Sequence, residues 1–286
     1  MSDLSKTLND LWRALPFVGP PAPCVPLVEL SGVIGTGSRV QRALNLRGVE
    51  KAIETAFKTP GAKAVALIVN SPGGSPVQSR LIHDRIRTLA EEKDLPVFAF
   101  AEDVAASGGY MLAVAGDEIY ADESSIIGSI GVISAGFGFP DLLEKIGVER
   151  RVYTAGEDKS LLDPFQPENS DDVARLKAMQ EDVHASFISL VKNRRGARLS
   201  DEEDLFTGAF WAGARAKALG LIDGVRNVRD FVHDRYGEDV KVKRIPTDGR
   251  SAIARLFGGD AAGPDGLLET LAEALKTRAL WGRYGL

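Results

Sequence analysis

The chain has 286 residues, 44% of them hydrophobic and 26% charged, which leaves room for one large domain or two small ones and excludes a disordered bulk. Thirty-five basic against forty acidic side chains leave a net charge of −5, opposite in sign to a surface that tracks phosphates, so nucleic acid is not expected as a partner. The single Cys24 excludes an internal disulfide, and His83, His184 and His233 share no metal-ligand spacing, so neither a metal nor a cofactor is expected.

No segment has the length of a membrane helix. The longest uncharged run, Ser124 to Pro140, has seventeen residues, below the roughly 20 that cross a bilayer. The run from Ala14 to Val28 carries five prolines and cannot be a continuous helix. No basic region precedes an apolar stretch at the N-terminus, so no signal peptide is expected. The chain reads as a cytoplasmic protein with at most peripheral contact with a membrane.

In chain order, Leu4, Leu8, Leu11, Trp12 and Leu15 predict an amphipathic helix over residues 1–15, stopped by Pro16. Its charges cancel, which suits docking against protein rather than lipid. The proline-rich stretch to Pro26 reads as a stiff linker. Val25–Ile34 then reads as a strand, Leu46, Val49, Ile53 and Phe57 as one helix face, and Ala64–Val69 as a strand covered on both sides. Val77, Leu81, Ile82, Ile86 and Leu89 predict a second helix, followed by a strand at Val97–Ala101, a helix at Tyr110–Ala115 and a short strand at Glu118–Ala121. Beyond a glycine-rich run, Leu142–Ile146 reads as helical and Arg151–Thr154 as extended. The longest helix is expected from Asp171 to Arg195, capped by Ser170, with an apolar stripe from Val173 to Val191. Residues 249–266 read as a flexible join before a helix at Leu267–Leu280. The alternation predicts an α/β protein with a mostly parallel sheet.

Three segments can carry chemistry. Asn70-Ser71-Pro72-Gly73-Gly74 follows a buried strand, and its glycine pair can turn sharply and present bare N–H groups to an oxyanion; taken alone, it reads first as a strand-to-helix turn. In Asp103-Val104-Ala105-Ala106-Ser107-Gly108-Gly109-Tyr110, small neighbours leave space around the Ser107 hydroxyl, as a nucleophile requires; the plain alternative is a helix cap. Thr154-Ala155-Gly156-Glu157-Asp158-Lys159-Ser160 supplies an amine. A lysine can serve as base once burial favours its neutral form; among charged neighbours it is ordinarily a solvated side chain.

The order of these pieces, with Gly128-Ser129-Ile130-Gly131-Val132 between the second and third, resembles the signal peptide peptidase A family of Ser/Lys peptidases. The resemblance runs from about Val28 to Asn227 and takes in Asp163-Pro164-Phe165, Thr207-Gly208 and the segment from Ala216 to Asp223. It implies Ser107 as nucleophile, Lys159 as general base and Ser129 as the residue that orients the lysine. The implied oxyanion hole uses the N–H of Gly108 with one from the Gly73 and Gly74 pair, Gly74 being favoured. The implied fold is the Clp protease/crotonase type, built from repeated ββα units, as a single catalytic domain with helical terminal extensions. The domain plan is then a helix and linker over 1–23, a peptidase domain over 24–248, and a join with a C-terminal helix over 249–286. Peptides are the implied substrates. Single-motif relatives form closed rings in which one protomer's serine meets its neighbour's lysine, which implies a cyclic homo-oligomer with a shared dyad. The N-terminus departs from relatives that carry a membrane anchor there. Competing readings are a crotonase-like acyl-CoA enzyme, a Clp-type protease (which would need a histidine where Lys159 stands) and an inactive peptide-binding scaffold.

Overall fold

A computed structural model describes residues 21–35, 43–156, 159–247, 275 and 277–286. Eight strands form one sheet. They are β1 (Cys24–Ser31), β2 (Val65–Ser71), β3 (Val97–Ala106), β4 (Glu118–Ala121), β5 (Ile126–Gly128), β6 (Phe210–Ala212), β7 (Gly224–Val225) and β8 (Lys241–Ile245). The main path runs β6-β5-β3-β2-β1-β8, and β4 pairs with β3 and with β7. All pairings are parallel except β5 with β6. The helices are α1 (Leu46–Phe57), α2 (Pro76–Lys93), α3 (Gly108–Ala113), α4 (Pro140–Lys145), α5 (Ser170–Arg195), α6 (Gly213–Ala218) and α7 (Val228–Tyr236).

Period-two burial explains why the central strands read as continuous apolar runs. Val65, Leu67 and Val69 of β2, with Val97, Ala99 and Ala101 of β3, enter the larger core beside α1, α2 and α3. Ala66, Ile68, Phe98 and Phe100 enter a second core on the opposite face. There the Phe231 ring of α7 lies 4.8 Å from Phe98 and 4.7 Å from Tyr120, centroid to centroid. Strands covered on both sides have no polar face to reveal their period.

The long strand β3 positions the site. Its first half pairs with β4 and its second with β5, the change falling at the exposed Glu102 and Asp103. The β2–β3 register shifts at the same level, between Val69 and Ser71. The Asn70 side chain spans this irregularity: its amide donates to Asp103 Oδ2 (2.8 Å) and its carbonyl oxygen accepts the Val104 N–H (3.3 Å). Beyond it, the ends of β3 and β5 stand side by side, with Ala106 in register with Gly128.

Several expectations need correction. Pro26 lies inside β1, in register with Lys243, so the strand begins before the expected linker ends. Arg151–Thr154 forms no strand. The long helix is capped by the Asn169 side chain, which accepts the Asp171 N–H, and Ser170 is its first residue. Only Phe187, Leu190, Val191 and Arg195 of α5 are buried, all in its last third, while Met179 is exposed. Val77 and Leu81 of α2 are also exposed. The N-terminal helix and residues 249–266 lie outside the described residues, as does most of Leu267–Leu280; residues 277–282 are helical.

Candidate active site

Ser107 stands at the junction of β3 and α3 with φ 53° and ψ −124°. A non-glycine residue in that region is strained by about 1–3 kcal/mol and is held there by its surroundings. Those surroundings are backbone bonds: the Ser107 N–H donates to Gly128 O (2.8 Å), and its carbonyl accepts the N–H groups of Tyr110 (2.9 Å) and Met111 (3.1 Å). Its hydroxyl makes no capping hydrogen bond, so the helix-cap reading does not describe this residue.

The two glycine motifs exist so that two loops can touch. A methyl group on Gly73, whose φ is +100°, would lie 2.8 Å from both Ser107 Cβ and the Gly108 nitrogen. One on Gly108 would meet Ser79 Oγ at 2.4 Å and the Gly74 nitrogen at 3.4 Å. Only hydrogen fits at Gly73, while at Gly108 a methyl group would force the Ser79 hydroxyl to turn away. The Gly73 and Gly74 turn is not itself a helix start: α2 begins at Pro76, after Ser75 caps it by accepting the Gln78 N–H. Proline in the first turn and serine at the cap are the usual chemistry of such a start.

Ser129 follows Gly128 at the end of β5, beside Ser107. It is buried, also has positive φ (51°), and donates its N–H to Ala209 O (2.7 Å). His184 of α5 bonds the next carbonyl, Ile130 O, at 3.0 Å. Ser107, Ser129, Gly73, Gly74 and Gly108 are therefore neighbours. Lys159 is exposed in a turn where its N–H reaches Gly156 O (3.4 Å), and none of its described contacts is with Ser107.

The lysine segment is tied to its own part of the chain. Asp163 pairs with Arg150 at 2.9 Å, the Phe139 N–H donates to Pro164 O (2.6 Å), and the Phe139 and Phe165 rings lie 5.6 Å apart. A groove of about 1130 Å³ opens between residues 134–141 and 160–176, but Ser107, Ser129, Gly73 and Gly74 do not line it.

The sequence reading missed two supports of the site. The carboxylate of Asp223 accepts both Arg195 Nη1 (2.7 Å) and Nη2 (3.1 Å), and the Tyr110 hydroxyl of α3 donates to Leu221 O (2.7 Å). Tyr110 is fully buried, and burial pushes its phenol well above the usual range, so it is a permanent donor. The signal in the sequence is the segment from Ala216 to Asp223, which ends on the carboxylate but does not reveal its partner.

The sequence model of Peptidase family S49 matches residues 90–243, more than half of the chain. The chain belongs to peptidase family S49. Its fold is accordingly the α/β architecture of the Clp protease/crotonase type. A Synechocystis protein carrying a protease name is 30% identical over 87% of this S49 chain and 86% of its own length. The chloroplastic serine protease SPPA of Arabidopsis thaliana is 33% identical over 67% of this chain and 29% of its own. A Brucella abortus protein named as the Na(+)/H(+) antiporter NhaA is 52% identical over 92% of this chain, which spans only 37% of that protein's length. Among the described residues no helix is long and apolar enough to cross a membrane.

Proposed function

We propose that this chain is a serine endopeptidase of the signal peptide peptidase A type, with residues 24–248 as its catalytic domain. The observation that carries the reading is Ser107: a strained residue whose hydroxyl has no hydrogen-bond partner among the described residues, approached by the Gly73 turn where a side chain would clash. In the proposed reaction Ser107 Oγ attacks the scissile carbonyl carbon while the Lys159 amine takes the hydroxyl proton. The negative charge on the carbonyl oxygen is received by N–H groups of Gly108 and of the Gly73 and Gly74 turn. Collapse expels the amine half of the peptide, which takes its proton from Lys159. Water then repeats the cycle on the acyl-serine, releasing the acid half and restoring the hydroxyl. Ser129 orients the lysine.

The substrates under this reading are short or unfolded apolar peptides, signal-peptide remnants included, met at the cytoplasmic side. Lys159 comes from a second copy of the chain in a cyclic homo-oligomer. Two observations support that arrangement. The amine stands exposed on its turn, and the same region bares Ile133, Phe137, Leu142, Ile146, Tyr153 and Met179 to solvent. That much unpartnered apolar surface is characteristic of an interface. An acyl-CoA enzyme would need neither the hydroxyl nor the amine, and the family match speaks against it.

The test uses a serine-directed fluorophosphonate and a fluorogenic peptide. Labelling at Ser107, abolished with hydrolysis in Ser107→Ala, is the expected result; undiminished turnover by that variant refutes it. Co-expressed Ser107→Ala and Lys159→Ala chains, each inactive alone, should regain about a quarter of the sites, the share of interfaces in a randomly mixed ring that receive both intact residues. No recovery in verified mixed oligomers refutes the shared dyad.

A further inference from the structure

Ser71, the last residue of β2, is fully buried, and its hydroxyl is spent on backbone. It donates to Gly32 O (2.7 Å) and accepts the Gly73 N–H (3.2 Å). The turn is held from its other side by Ile34, whose N–H donates to Gly73 O (2.9 Å) and whose carbonyl accepts the Ser75 N–H (2.8 Å). The groups flanking Gly74 are thus all engaged. Its own N–H has no acceptor among the described residues, and its nitrogen lies 3.4 Å from where a Cβ on Gly108 would stand.

We propose that Ser71 is a positioning residue for the peptidase reaction: its hydroxyl removes the Gly73 N–H from use and fixes the turn so that Gly74, with Gly108, receives the oxyanion. The inference rests on the proposed serine-peptidase reading and deepens it. The physical reason is competition. A buried N–H must find an acceptor, and without the Ser71 hydroxyl the Gly73 N–H would satisfy itself by rotating the peptide plane between Pro72 and Gly73. Gly74 is one bond system further on and would move with it. An oxyanion donor acts only when held within hydrogen-bond distance of the place where the charge develops, so the loss should fall on the transition state and leave substrate affinity alone.

The experiment compares wild type with Ser71→Ala, and with Ser71→Thr, which keeps the hydroxyl. Three quantities are measured: kcat and KM on a fluorogenic peptide, Ki for the matching peptide aldehyde, whose hemiacetal carries the oxyanion, and Ki for the matching peptide amide, which does not. In Ser71→Ala, kcat should fall about 10- to 100-fold, less than the outright loss of a donor, and the aldehyde Ki should rise by a similar factor. KM and the amide Ki should stay within about twofold, and Ser71→Thr should recover most of the lost kcat. Should Ser71→Ala fail to fold, Ser71→Cys, similar in volume and a weak hydrogen-bonding partner, enters the same assays. Unchanged kcat and aldehyde Ki in an active, labelled protein overturn the role of Ser71 alone. So does a parallel shift in all constants, which marks general distortion. A wild type that the fluorophosphonate does not label at Ser107 overturns the peptidase reading, and this inference with it.

Discussion

Replacing Asp223 with alanine should destabilise the protein more than any surface change, because it strands a buried charge. The Arg195 side chain is 2% exposed, and its guanidinium is matched by the Asp223 carboxylate through two nitrogens and by Gly220 O through Nε (2.8 Å). The carboxylate also accepts the Ile119 N–H (2.7 Å) and Arg198 Nη1 (3.2 Å). Asp223→Ala leaves the guanidinium with one neutral partner and the Ile119 N–H with none. Removing one member of such a pair costs about 3–5 kcal/mol, which in a chain of this size lowers Tm by about 6–20 °C. Urea unfolding at pH 7, read as a fall in the midpoint at constant slope, measures it. Replacing both partners by apolar residues, Arg195→Met with Asp223→Leu, should regain most of the loss, because no charge is then left buried. The pH dependence has a definite sign. Burial by itself would raise the Asp223 pKa, but the hydrogen bonds from Arg195, the Ile119 N–H and Arg198 outweigh it and hold the carboxyl below its usual range. The stabilisation is therefore complete above the unfolded carboxylate pKa of about 3.9 and is lost as pH falls through the lower folded value. A loss under about 1 kcal/mol, or a double variant as unstable as the sum of the two single ones, refutes the reasoning.

Three further outcomes are expected. Gly73→Ala should abolish fluorophosphonate labelling and lower stability by about 1–3 kcal/mol, since its methyl would press on Ser107 Cβ at positive φ; labelling at the wild-type rate would contradict the close approach of the two loops. The Tyr284 hydroxyl is buried with no partner among the described residues, so Tyr284→Phe should be neutral or stabilising by up to about 1 kcal/mol, and a clear loss in the urea midpoint would show that the hydroxyl has an acceptor. Burial holds the His83 imidazole below its usual pKa, against the pull of Asp84 and with help from Arg194 and Arg80. The unfolded chain then binds the extra proton first, so stability should decline as pH drops below about 6.5, and His83→Gln should flatten that decline between pH 7.5 and 5.5; identical slopes would rule it out.

Much of the fold was legible in the sequence because it is local. Ala64–Val69 announced a doubly covered strand by its unbroken apolar run, and the Ile82, Ile86 and Leu89 spacing announced the buried face of α2. The glycine pairs marked where loops must turn or touch, and their order carried the family resemblance. What the sequence could not decide is what each face meets. The stripe on α5 correctly predicted a helix, yet only its last third is buried, because periodicity reports the shape of an apolar surface and not its partner. Arg151–Thr154 has extended propensity, but among the described residues no strand edge takes up its backbone hydrogen bonds. The local sequence around Ser107 suits a nucleophile or a helix cap, and the strained backbone without a capping bond arises only because β5 supplies Gly128 O and the Gly73 turn closes over it. The hydrogen bonds of Ser71 and the pairing of Arg195 with Asp223 join residues whose chemistry is ordinary in isolation. Propensity and pattern act over a few residues, whereas desolvation and hydrogen-bond competition depend on what the whole sheet brings within a few ångströms.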